Sequence, residues 1–82
     1  MKIKLKLTIG VEEQVTEGHT LESAVNKLVS PPTIKARGKM IIQKNDEHIV
    51  TTPMTVLRLK MLFNKKHSFK GLFIKNLSLF LK

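Results

Sequence analysis

Eighty-two residues carry a formal net charge of +9 and no cysteine, which suits one domain and excludes a disulfide framework, a cysteine-based zinc site and a thiol nucleophile. A chain of this length buries only roughly 60–65% of the surface it exposes when unfolded, so its own core is modest. A large partner that binds only the folded form adds stability.

The charge is unevenly placed. Residues 1–30 hold Lys2, Lys4, Lys6 and Lys27 against Glu12, Glu13, Glu17 and Glu22, which sum to zero. Residues 31–82 hold eleven basic side chains against Asp46 and Glu47, which accounts for the whole +9. A concentrated cationic segment favours a polyanionic partner, nucleic acid before an anionic membrane surface. Thirteen of the fifteen basic residues are lysine, a bias that an A-rich coding sequence explains. That bias does not explain the scarcity of acids.

Lys2 to Ile9 alternates strictly, with Ile3, Leu5, Leu7 and Ile9 on one face, which predicts a half-buried strand. Charges interrupt the apolar positions of this opening, so it does not read as a signal peptide. Gly10 to His19 is polar and acidic and reads as a loop. Thr20 offers an N-cap hydroxyl and Glu22 a first-turn anion. Leu21, Ala24, Val25, Leu28 and Val29 then make the stripe of a helix, which Ser30-Pro31-Pro32 stops.

Thr33 to Lys39 is a basic, glycine-containing loop. Met40–Lys44 and His48–Thr52 flank Asn45-Asp46-Glu47, a tight-turn sequence, and predict a hairpin. Pro53 or Thr55 starts a second helix over about Val56–Lys66, with Val56, Leu59, Leu62 and Phe63 inward. Phe69 to Leu81 reads as two short strands joined near Lys75-Asn76, and contains no run near the roughly 20 apolar residues of a membrane span. The expected fold is α+β, two helices on a small, mostly antiparallel sheet in the order β-α-β-β-α-β-β.

No catalytic constellation accompanies the charge. His19, His48 and His67 are not spaced as metal ligands, and Glu12, Glu13 and Glu17 lie in a polar stretch that offers no pKa-shifting burial. Phosphate-loop, nucleophile-elbow and dinucleotide-binding motifs are missing. The chain therefore reads as a binding module without cofactor, metal or small-molecule substrate. The basic loop places Lys35, Arg37 and Lys39 among small residues, where cations and backbone amides approach phosphates closely. The second candidate is the helix with Arg58, Lys60, Lys65 and Lys66. Trp and Tyr are absent and the four Phe residues suit the core, so recognition by phosphate and shape is favoured over base stacking.

Several stretches resemble the eukaryote-specific family of large-subunit ribosomal protein 22, which is unrelated to its bacterial namesake. Val11-Glu12-Glu13-Gln14-Val15 followed by Thr20-Leu21-Glu22 is similar to the family's Val-Glu-Asp-Gly-Ile and Asn-Phe-Glu at the same spacing. Lys35–Lys39 stands where the family has a basic, Gly-containing loop. Ile49-Val50-Thr51-Thr52-Pro53-Met54-Thr55, with Leu59-Lys60 and Leu62, is similar to its Ile-x-Val-Thr-Ser-x-x-Pro-Phe-Ser join and the Leu-Lys-x-Leu after it. Phe69-Lys70-Gly71-Leu72-Phe73 looks like the Leu-Arg-Asp-Trp-Leu that opens the family's last hairpin. Val56 and Leu57 depart from the pattern, standing where the family carries Lys-Arg.

The resemblance implies a cytoplasmic constituent of the large ribosomal subunit that binds ribosomal RNA, with neighbouring ribosomal proteins as further partners. It matches Lys60 and Lys65 to basic helix positions and Lys70 to the Arg after the helix. Two other readings stand beside it. One is a stand-alone nucleic-acid-binding or viral accessory protein, the other a protein–protein adaptor using Leu72–Leu81.

Overall fold

The computed structural model describes residues 1–66 and 68–81. The histidine at 67 and the final lysine lie outside the described residues. The chain runs β1 (Ile3–Ile9), β2 (Glu12–Gly18), α1 (Leu21–Asn26), β3 (Gly38–Lys44), β4 (Glu47–Met54), α2 (Val56–Leu62) and α3 (Phe69–Phe80). The four strands form one antiparallel sheet in the order β2-β1-β3-β4. The class is α+β, as expected, but the element order differs in two places.

The alternation of β1 does what its period requires: Ile3, Leu5 and Leu7 are buried, and Lys4 and Lys6 stand on the opposite face. Met40 and Ile42 of β3 and Met54 of β4 extend the buried face. Leu21, Ala24 and Val25 of α1, Leu59 and Leu62 of α2, and Phe73 and Leu77 of α3 close over it. All three helices thus cover one side of the sheet and leave the other open.

The first correction is β2. Gly10–His19 reads as a loop, yet Glu12–Gly18 pairs residue for residue with β1, from Ile9↔Glu12 to Ile3↔Gly18. The turn has two residues, and its first, Gly10, takes φ +60°, the type II′ pattern that suits hairpin twist. The strand escaped the hydrophobic pattern because its inward positions are Gln14, Thr16 and Gly18, none of them apolar. Hydrogen bonds hold that side instead. Thr16 Oγ1 donates to Ala24 O at 2.8 Å, and the Gln14 amide both donates to Val29 O and accepts from Val29 N.

The second correction is α3. Phe69–Leu81 does not form two strands but a twelve-residue helix and its cap. Leu77, Leu79 and Leu81 fit period two, but Phe73, Leu77 and Leu81 equally fit i, i+4, i+8. The helical set reaches the core and Leu79 is left 62% exposed.

Both earlier helices are shorter than their apolar spacing suggests. α1 starts on a Thr20 cap, whose Oγ1 accepts from Ser23 N, and stops at Asn26, so Val29 is exposed. α2 starts on Thr55, whose Oγ1 accepts from Arg58 N at 3.1 Å, and stops at Leu62. Pro53 belongs to the edge strand β4, where a missing N–H is tolerated. The β3–β4 turn is Asn45-Asp46, both at positive φ (53° and 68°), with Glu47 already in the strand. Asn45 also ties the turn to β1, donating to Lys2 O and accepting from Lys2 N.

Candidate nucleic-acid interface

Lys35 and Arg37 are exposed in the segment leading into β3, and Lys39 is exposed on the strand itself. Lys39 pairs with Thr8 and Pro53, so it shares the open sheet face with Lys4 and Lys6. The segment is drawn tight against β1. A Cβ on Gly38 would stand 1.9 Å from Thr8 O, and Gly10 N donates to Arg37 O at 3.3 Å. Only glycine permits that approach. It fixes the backbone between Arg37 and Lys39 while both side chains reach solvent.

Arg37 lines a shallow cleft with Pro53, Thr55 and Leu57, at the junction of β4 and α2. Arg58 approaches the same junction from the first turn of α2, where its Nη1 donates to Pro53 O at 3.3 Å. The fold thereby brings the basic segment and the start of the second helix together. Lys60, in the last turn of α2, is exposed and favourably placed against the helix dipole.

Lys65 and Lys66 stand in the turn after α2, not on the helix, because α2 ends three residues before Lys65. Arg58 and Lys65 therefore do not share a helix face. Lys65 instead meets Lys70, half-buried in the first turn of α3, across a cleft of about 390 Å³ that also borders Asn26 and Ser30. Six of the eight candidate cations fall into two groups. Arg37, Lys39 and Arg58 stand at the β4–α2 junction, and Lys65, Lys66 and Lys70 at the α2–α3 turn, with Lys35 and Lys60 outside both.

Their electrostatic setting separates them from Lys2 and Lys6. Among the described residues the only ion pairs are Lys2–Glu17 at 3.6 Å and Lys6–Glu13 at 3.3 Å. Both join β1 to β2. None of the eight candidate cations has an acidic partner in that set. Arg58 and Lys70 lie in first turns that contain no acid, where the helix dipole disfavours a cation by about 0.3–1 kcal/mol at an exposed site. For Arg58 the bond to Pro53 O offsets that cost.

Sequence reasoning missed the open sheet face. Lys4 and Lys6 line a depression there with Val15, Ile41, Gln43 and His48. The alternation of β1 placed its lysines outward, but only the unread β2 reveals that Glu13 and Glu17 lie beside them. One expectation about aromatics also fails. Phe73 is buried, but Phe80 is 70% exposed and does not belong to the core.

His19 Nδ1 lies 3.2 Å from Met1 O and His48 Nε2 lies 3.1 Å from Thr51 Oγ1. Among the described residues no group of three His, Asp or Glu side chains is placed to hold a metal ion. No helix among them is long and apolar enough to cross a membrane. No family model, curated protein or solved structure matches the chain.

Proposed function

We propose that this chain binds structured RNA through its phosphates, and that the RNA is ribosomal RNA of the large subunit in the cytoplasm. The observation that carries the phosphate reading is the segregation of charge. Acids on β2 pair with Lys2 and Lys6, while Lys35, Arg37, Lys39, Arg58, Lys60, Lys65, Lys66 and Lys70 have no acidic partner among the described residues. An anionic ligand at Arg58 and Lys70 neutralises two cations that stand in first turns containing no acid. The ribosomal assignment rests on the resemblance in segments 11–22, 35–39 and 49–62. The resemblance at Phe69–Phe73 gives no support, because α3 stands where the family's last hairpin begins.

With most of the eight cations on phosphates, the logarithm of affinity falls against the logarithm of salt with a slope of about −4 to −7. Titrating the protein into a structured RNA at several salt concentrations measures it, and a flat response overturns phosphate binding. Sedimentation with large subunits after a high-salt wash tests the ribosomal part. Steep salt dependence without co-sedimentation would favour a stand-alone RNA-binding protein.

A further inference from the structure

Leu72, Leu79 and Phe80 of α3 stand 58%, 62% and 70% exposed, on a helix whose half-buried positions include Ser78. Packing of the isolated chain gains nothing from that arrangement. The Ser78 hydroxyl donates to Ile74 O at 2.8 Å, so the three large apolar groups in solvent are what mark a surface without its cover.

Helical spacing lines up Leu72, Asn76 and Phe80 as one wall of an open groove. Phe73 lies at its base, and Thr52 of β4 and Arg58 of α2 form the opposite side. Arg58 spends one donor on Pro53 O and keeps the rest of its fork.

Charge decides what fits there. No acidic residue follows Glu47, while Arg58, Lys60, Lys65, Lys66, Lys70 and Lys75 all do. A second copy presenting the same face would set cation against cation. A helix with a large apolar stripe and acidic flanks satisfies both the groove and the field around it. We propose that the α3 groove docks an acidic amphipathic helix of a partner protein, its apolar anchors on Leu72 and Phe80 and a carboxylate on Arg58. This goes beyond RNA binding and does not depend on it.

The probe is a fluorescein-labelled helical peptide with leucines at i, i+3, i+4 and i+7 and glutamates on its flanks, titrated with the full chain. A twin peptide carries lysines in place of the glutamates. The expected result is saturable binding of the acidic peptide and none of its twin. The Leu72→Asn/Phe80→Asn variant should bind at least about tenfold more weakly, or 1.4 kcal/mol, with an unchanged circular dichroism spectrum and unchanged RNA affinity.

Equal binding of the acidic peptide by the variant overturns the proposal, as does equal binding of the twin by the native chain. Three further results overturn it by assigning the surface elsewhere. Loss of RNA affinity in the variant would make Phe80 a base-stacking platform. A dimer that the two substitutions dissociate, seen by sedimentation, would make the cover a second copy. Groove-dependent binding to vesicles of anionic lipid would make it a membrane surface.

Discussion

Gly38→Ala is the sharpest structural test of the basic segment, because the added methyl meets backbone and not a flexible side chain. Its Cβ would lie 1.9 Å from Thr8 O, 3.0 Å from Thr8 C and 3.2 Å from Ile9 Cα. Reaching an ordinary C···O separation of about 3.3 Å requires the strand ends to part by roughly 1.4 Å. Two features sit on that opening: the Ile9↔Gly38 pairing and the bond from Gly10 N to Arg37 O. Overpacking of this kind costs about 1–3 kcal/mol, and each hydrogen bond broken adds about 1 kcal/mol. A loss of about 2–4 kcal/mol is a large part of the roughly 4–12 kcal/mol expected for a chain of this size. Urea denaturation reads it directly. With a slope of about 1 kcal/mol per molar, the midpoint falls by about 2 M or more. Gly71→Ala is the internal control. A Cβ there meets nothing within 4 Å, so inside α3 it stabilises by about 0.5–1 kcal/mol. If the two variants unfold at the same midpoint, the close approach of β1 and β3 is wrong.

Reversing Lys35, Arg37 and Lys39 to Glu should lower RNA affinity and reduce the salt slope by about 0.9 for each duplex phosphate that is no longer neutralised. Lys2→Gln with Lys6→Gln should leave both within error, since Glu17 and Glu13 already occupy those lysines; filter binding of the two variants compares them. Thr55→Ala removes the acceptor for Arg58 N and should cost about 1 kcal/mol in thermal unfolding, most of it restored by Thr55→Ser. Asn45→Ala places a side chain that disfavours positive φ at the β3–β4 turn and deletes the acceptor for Lys2 N. It should cost about 1–2 kcal/mol in urea unfolding, and Asn45→Gly less.

What could be read along the chain follows from which residues feed the core. β1 and α2 each carry apolar residues at one clear period, the β3–β4 hairpin is marked by its Asn45-Asp46 turn, and each lies close to its expected place. β2 does not. Its inner side is Gln14, Thr16 and Gly18, and its affinity for the sheet is main-chain pairing plus side-chain bonds to α1 and Val29. No hydrophobic period records such a strand. α3 failed for the opposite reason, since its apolar residues satisfy both periods and only a partner surface decides between them. The site shows the same division. Exposure of Lys35 and Arg37 follows from a basic loop and that of Lys39 from its outward position on β3, whereas the meeting of Arg37 with the start of α2 depends on how β4 delivers the chain to Thr55.

The misread strand also changes what the charge count means. As a loop, Glu12–Glu17 would balance β1 only in sum. As a strand it lays Glu13 and Glu17 along the same sheet face as Lys6 and Lys2 and within ion-pair distance of both. Exposed pairs of this kind add little stability, about 0–1 kcal/mol, so their larger consequence is the field they shape. They neutralise one margin of the open face. From β3 onward the remaining acids, Asp46 and Glu47, stand together at the hairpin turn, away from the β4–α2 junction. On the proposed RNA reading, a polyanion gains little at β2 and is drawn to Arg37, Arg58 and the α2–α3 turn. The orientation of that proposed binding follows from β2 as much as from the cations themselves.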